Sequence, residues 1–230
     1  MAKLSGQPII CDASSLISLT DSCFVHALYF LKKRFSGKFI ISPSVEYECV
    51  EHPRTIAAHA MHALRLKRAI NDGIIEPVPE SRPSSVQEIR FIANNIFFAS
   101  GTPIRLLHEG ETEVLALANE LGVNNLLVDE RTTRMMVESP STMHEILERE
   151  LHREISVNEE NLSSFSRFTK GLRFFRSSEI ILLAAEKGFF RDYGELEREA
   201  IEAALHKLKY SGCAVGFSEI SGYLSKKFPK

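Results

Sequence analysis

Short apolar runs alternate with amphipathic stretches along the first half of the chain. Ile9-Ile10-Cys11 is an apolar run that ends on Asp12. From about Ser15 to Arg34, Leu16, Leu19, Cys23, Ala27, Phe30 and Leu31 recur at helical spacing until Gly37 breaks the pattern. Phe39-Ile40-Ile41 predicts a second strand, and Ser42-Pro43 opens a helix, proline being suited to a first helical turn. Arg54 to Asn71 predicts another helix, closed by Asp72-Gly73. Ile74-Ile75-Glu76-Pro77-Val78 is a third extended run, Pro77 to Pro83 a loop, and Ser84-Ser85 caps a helix through about Ser100-Gly101.

Further on, Gly110 precedes a helix from Glu111 to Glu120, closed by Leu121-Gly122. Leu126-Leu127-Val128 predicts a strand that ends on Asp129, and Ser139-Pro140-Ser141 marks a break. Residues 142–170 are polar, helical at first and then loop-like. Leu172-Arg173-Phe174-Phe175 suits a last strand, and Ser177-Ser178-Glu179 starts a helix through Lys187-Gly188. Helices at about Tyr193 to Tyr210 and Phe217 to Lys226 finish the chain. Strands alternating with helices imply βαβ units, hence an α/β fold with a parallel sheet covered on both faces. Ligands of such sheets bind at the carboxyl ends of the strands.

Composition narrows the class of protein. The 230 residues are 44% hydrophobic and 25% charged, too apolar for general disorder. The formal charge of -2 shows no overall basic excess, so a surface for nucleic acid must be local. Cys11, Cys23, Cys49 and Cys213 have no CxxC spacing and read as free thiols of a cytoplasmic protein. The first residues do not form a secretory signal, and the absence of an 18-residue apolar window argues against a membrane span.

The acids change the picture more. Asp12 follows the first strand, and Asp129 follows a later one with Glu130 beside it. Glu46, Glu48 and Glu51 lie on the helix after the second strand, and Glu109, Glu111 and Glu113 open the helix before the Asp129 strand. Carboxylates gathered at one sheet edge repel each other unless some are protonated or a divalent cation sits among them. Oxygen donors of this kind suit Mg²⁺ or Mn²⁺. Glu111 shares a helical face with Val114, Leu115 and Ala118, so it prolongs the apolar, sheet-facing stripe. Glu113 lines up with Ala116, Leu117 and Glu120, a more mixed face, and is the second choice. Spacing does not decide between Glu46 and Glu48. Each acid alone is also a common helix cap, and only their coincidence at one edge points to a site.

Four segments resemble the motifs of the PIN-domain ribonuclease family. These are Ile9-Ile10-Cys11-Asp12-Ala13-Ser14-Ser15-Leu16-Ile17, Pro43-Ser44-Val45-Glu46-Tyr47-Glu48, Gly110 to Ala118, and Leu126-Leu127-Val128-Asp129-Glu130-Arg131. Arg176-Ser177-Ser178-Glu179 and Lys207 to Cys213 look like the later part of archaeal PIN-domain proteins, distant relatives of the VapC-type toxins. The resemblance implies a three-layer α/β/α PIN-like fold with a central parallel sheet and extra C-terminal helices. It implies one domain over 1–230, with a helical insertion at about 139–170 and C-terminal helices at about 193–226. It further implies a metal-dependent endoribonuclease in which Asp12, Glu48, Glu111 and Asp129 hold one or two Mg²⁺ or Mn²⁺ ions. One ion would lower the pKa of the attacking water, and a second would steady the leaving oxygen. Its third acid is Glu111 where aspartate is more frequent, and the 139–170 segment is longer than compact PIN toxins carry.

Around that set, Ser14 either orients a water or phosphate or caps a helix, and Glu130 either supports the metal-holding acids from behind or is a solvated helix-start acid. Arg131 and Arg134 follow Asp129 and suit backbone phosphates of RNA. Phe165, Phe168, Phe174 and Phe175 lie near Arg167, Lys170, Arg173 and Arg176 and form either a base-stacking group or a core for the last helices. His52, His59 and His62 lie in or near one helix, with no acid or cysteine completing a metal site. RNA is the expected partner. An antitoxin-like or other protein inhibitor and a homodimer are further partners that the resemblance implies. The competing reading is a catalytically inactive PIN-like RNA- or protein-binding module. A phosphoacceptor receiver lacks its acidic pair after the first strand, and a dinucleotide-binding fold lacks Gly-x-Gly-x-x-Gly there.

Overall fold

The computed structural model describes residues 6–78 and 83–228. β1 (Ile9–Cys11) leads through α1 (Ala13–Asp21) and α2 (His26–Lys32) to β2 (Phe39–Ile41). α3 (Pro43–Glu46) runs into a π-helical segment, Tyr47–Glu51, and a 3-10 turn at Pro53–Thr55 precedes α4 (Ala60–Asn71) and β3 (Ile75–Pro77). Then come α5 (Val86–Ala93), β4 (Phe97–Ala99), β5 (Thr102–Pro103), α6 (Glu109–Leu121) and β6 (Asn125–Leu127). α7 (Arg131–Glu138), α8 (Pro140–Leu151), β7 (Ile155–Val157) and α9 (Glu159–Phe168) lead to β8 (Arg173–Phe175). α10 (Ser177–Glu186), a 3-10 segment at Arg191–Leu196, α11 (Glu197–Tyr210) and α12 (Phe217–Lys227) follow.

The central sheet is parallel throughout, in the order β3-β2-β1-β6-β8. β1, β2 and β6 are wholly buried, as the apolar triplets of β1 and β2 and the Leu126-Leu127 pair of β6 require of strands covered on both faces. One helical group, α1, α2, α4 and α10, packs together on one side. The other, α5, α6 and α9, packs on the opposite side. This is the three-layer α/β/α arrangement. β1 and β6 are neighbours in the register Cys11 to Leu127, so the chain leaves both strands side by side at the carboxyl edge, into Asp12 and Asp129.

Four sequence expectations are corrected. The helix expected from Ser15 to Arg34 is two helices, because the chain turns near Cys23, whose φ is 65°. The helix expected from Arg54 to Asn71 is helical in the α sense only from Ala60. The helix expected to reach Ser100-Gly101 stops at Ala93. Phe97-Phe98-Ala99 is instead a strand, and Ser100 and Gly101, with φ of 49° and 78°, form the two-residue turn of a hairpin to β5. The 139–170 segment, expected to be helical and then loop-like, contains β7, which pairs antiparallel with β4 in a second, three-stranded sheet. Ile155-Ser156-Val157 alternates apolar and polar residues, the pattern of a half-buried strand. The Pro77–Pro83 loop falls largely outside the described residues.

Phe165 is buried and Phe168, Phe174 and Phe175 pack against the core, so these rings serve packing. Arg176, grouped by sequence with those rings, is buried as well. Its guanidinium donates to Ala214 O at 3.0 Å, Glu219 Oε2 at 3.0 Å, Glu179 Oε1 at 2.8 Å and the Tyr223 hydroxyl at 2.9 Å. It thereby ties α12 and the loop before it to the end of β8. Burial works against the Arg176 charge, but hydrogen bonds to Glu219 and Glu179 more than restore it.

Hydrogen bonds from Arg176 hold the Glu219 carboxyl at about 2, against the opposing effect of burial. A carboxyl held below its ordinary 4.5 contributes fully above that value and loses its contribution as pH falls toward about 2. The urea midpoint of Glu219→Gln is expected to lie below the parent's near neutral pH, with the gap closing as pH falls through that window. A gap that does not depend on pH would separate Glu219 from the buried guanidinium.

Candidate functional site

The carboxyl edge is organised by Ser14. Asp12 caps α1, its Oδ2 accepting from Ser14 N at 3.1 Å and from Ser14 Oγ at 2.5 Å. The same hydroxyl oxygen accepts from Asp129 N at 3.1 Å and Glu130 N at 3.3 Å. Ser14 therefore joins the end of β1 to the end of β6. Ser15 adds a second link, its hydroxyl reaching Asp12 O and Leu127 O, both at 2.9 Å. Asp12 is only 6% exposed and Asp129 is fully buried.

Asp129 is held from the other side. Its Oδ1 accepts from Ser177 N at 2.7 Å and its Oδ2 from Ser177 Oγ at 2.6 Å. Ser177 is the first residue of α10, so Asp129 receives an unpaired N–H of a helix start. The Cys213 thiol stands beside this pair, pushed up to about 11 by burial and then by the Asp129 charge. Sequence reading quoted Ser177 and Cys213 within motifs without giving either a role.

Glu48 lies in the π-helical segment, where His52 N bonds to Tyr47 O at 2.9 Å, one residue beyond α-helical reach. Its Oε2 lies against Gly110, where a Cβ would come within 3.3 Å. Gly110 therefore leaves space for the Glu48 carboxylate beside the first turn of α6. Glu111 closes that turn, its Oε2 accepting from His108 N at 2.9 Å. His108 was not anticipated from sequence, although it stands directly before Glu109-Gly110-Glu111; its charge favours an ionised Glu48. Glu46 is engaged elsewhere, with Lys67 at 3.3 Å, and so is Glu51, with Lys67 at 3.1 Å and Arg54 at 2.9 Å.

The remaining candidates divide. Glu113 is fully buried, because α6 is covered over the whole run from Thr112 to Ala118. Its Oε2 accepts from Ser42 Oγ at 3.2 Å and Ser44 N at 3.1 Å, and its Oε1 has no hydrogen-bond partner among the described residues. The mixed-face argument that ranked it second fails for a helix buried on both sides. Glu130 caps α7 through Thr132 N and Thr133 N, both at 2.7 Å. Arg131 is exposed, with Nε 3.1 Å from Met135 Sδ, while the Arg134 Nε is buried without a partner. His62 pairs with Asp21, His52 lies against Tyr47, and His59 precedes α4.

Three of the acids sense one another. Burial, and after it the charges of Glu111 and Glu48, push Asp12 up from 3.8 to about 6, although Ser14 pulls the other way. Burial and then Glu111 push Glu48 up as well. Asp12, Glu48 and Glu111 are thus one electrostatic cluster, at the edge where the sheet type places ligands. Their donor chemistry, hard carboxylate oxygens with Gly110 leaving room beside Glu48, fits a divalent cation. Among the described residues, however, no three His, Cys, Asp or Glu side chains are already closed into a metal-holding group.

The family model of DUF3368, described as a PIN domain, matches residues 8–141. The chain belongs to the PIN-domain family, a nuclease-type module. No curated protein and no solved structure matches it. No single helix among the described residues is long and apolar enough to cross a membrane.

An acid whose pKa is raised on folding binds its proton more tightly in the native state, so stability falls as pH rises between the two values. In EDTA, the parent is expected to lose stability relative to Asp12→Asn as pH rises from about 3.8 to about 6. Added Mn²⁺ should restore the parent alone, read as urea midpoints. Parallel curves would remove Asp12 from the cluster. Ser177→Ala is expected to cost about 1.5–3 kcal/mol, the range for a hydrogen bond to a charged group. An unchanged midpoint would show that Asp129 does not depend on that hydroxyl.

Proposed function

We propose that this protein is a divalent-metal-dependent endoribonuclease, with Asp12, Glu48 and Glu111 holding Mg²⁺ or Mn²⁺ and Asp129 behind them as the fourth acid. The carrying observation is the meeting of Asp12, Glu48 and Glu111 at the carboxyl edge of a PIN sheet, where burial, and after it their mutual repulsion, raises Asp12 and Glu48. A bound cation would supply positive charge to the phosphodiester and acidify water for attack. The rest falls to the chain. Ser14 fixes the Asp12 carboxylate and fastens it to the backbone of Asp129. Ser177 occupies one acceptor direction on each Asp129 oxygen, leaving further lone pairs. Arg131, exposed on the first turn of α7, offers a charge to a phosphate.

Residues beyond the family match belong to the same unit on this reading, because β8 completes the sheet and α10 supplies Ser177. Four free thiols accord with a reducing, cytoplasmic place of action. An inactive RNA- or protein-binding module is the second reading. The short hydrogen bond that each Asp129 oxygen already accepts from Ser177, with no closed three-acid group among the described residues, favours it.

Cleavage of a panel of RNAs in Mn²⁺ against EDTA separates the two. The parent is expected to cut only with metal, and Asp12→Asn to cut at least about 100-fold more slowly. Ser14→Ala, acting through the orientation of Asp12, should lose about 10- to 100-fold. Cleavage in EDTA, or full activity in Asp12→Asn, would overturn the metal-site assignment. RNA binding without cleavage, together with no Mn²⁺ heat in titration calorimetry, would establish the second reading.

A further inference from the structure

The loop between α11 and α12 is fastened to the same sheet edge as the acids. Cys213 is buried beside Asp129 and Ser177, Arg176 at the end of β8 donates to Ala214 O at 3.0 Å, and Glu219 pairs with Arg176. The two aromatic residues flanking this loop point outward. Tyr210, the last residue of α11, is 75% exposed, and Phe217, the first of α12, is 51% exposed. Their ring centroids are 6.3 Å apart at 60°. Lys209 Nζ lies 4.6 Å from the Phe217 centroid while donating to Val215 O at 2.7 Å, and the His206 ring stands 5.6 Å from Phe217. Lys207 is exposed one turn before Tyr210.

Two neighbouring exposed rings offer a small apolar surface to a partner. Their neighbours describe that partner. A cation over one ring and a second exposed lysine suit a polyanion, and flat π faces suit unpaired bases, which stack on aromatic rings whatever their sequence. Base-paired RNA does not offer its base faces, and a neutral apolar partner would leave the exposed Lys207 unused.

We propose that Tyr210 and Phe217, with Lys209 and Lys207, form a stacking platform for unpaired bases of single-stranded RNA beside the acidic site. The proposal rests on the nuclease reading only for the strand's destination. Its binding is measured without cleavage, so the two fail separately.

The test is fluorescence anisotropy of a labelled single-stranded RNA 12-mer, in EDTA, with the full chain. Tyr210→Ala and Phe217→Ala are each expected to weaken binding by about 5- to 100-fold, the effect of losing one stacked base. Tyr210→Phe and Phe217→Tyr should bind like the parent, and a duplex of equal length should bind alike to all variants. Because both rings are exposed, melting curves of the alanine variants should match the parent's. Equal single-strand affinity in the parent and the double alanine variant overturns the proposal. So does sedimentation showing a dimer of the parent that the double variant abolishes without altering RNA affinity, since the rings would then be covered by a second copy.

Discussion

Five helices begin at or near one end of the central sheet, and each delivers unpaired backbone N–H groups to a carboxylate there. Ser14 N of α1 bonds to Asp12, Ser44 N of α3 to Glu113, and His108 N before α6 to Glu111. Thr132 N and Thr133 N of α7 bond to Glu130, and Ser177 N of α10 to Asp129. Parallel βαβ topology makes this convergence unavoidable, because every crossover helix that follows a strand starts at the carboxyl edge. The positive ends of those helices let the edge hold several carboxylates that would otherwise unfold it by repulsion.

The compensation is uneven, and its unevenness locates the site. Asp129 and Glu130 each receive two short hydrogen bonds, so they are well served by the protein itself. Asp12 receives two from Ser14 and is still pushed up to about 6. Glu48 sits on the π-helical segment rather than at a helix start and is raised, with no backbone donor to it among the described residues. Charge is therefore left unbalanced on the side of Asp12, Glu48 and Glu111, which is the side a cation would neutralise.

The fold was largely legible because its central strands leave no choice. Ile9-Ile10-Cys11, Phe39-Ile40-Ile41 and Leu126-Leu127 are short continuous apolar runs set between helical stretches, and a strand covered on both faces buries them all. Helical spacing misled where its assumption of one wet face did not hold. Glu113 was ranked below Glu111 by a face argument, yet α6 is buried on both sides and Glu113 is wholly enclosed. Glu46 and Glu48 were inseparable because the chain passes into π geometry between them, and 3.6-residue arithmetic does not carry across that change. The hairpin after Ile96 was hidden because two phenylalanines suit a buried helix as well as a strand. The available signal was Ser100-Gly101, a pair able to take positive φ. The burial of Arg176 was not legible because one of its acidic partners, Glu219, lies 43 residues away.

The separation of Ser177 from Asp129 by 48 residues has a consequence for synthesis. A growing chain that has emerged only through the family-matched residues 8–141 already carries Asp12, Glu48, Glu111 and Asp129. It still lacks the hydroxyl and N–H that clasp Asp129, the strand that closes the sheet, and the Arg176–Glu219 tie that fastens the loop beside them. The edge is thus completed from its far end, and the ribosome releases the acids well before the parts that set their final positions.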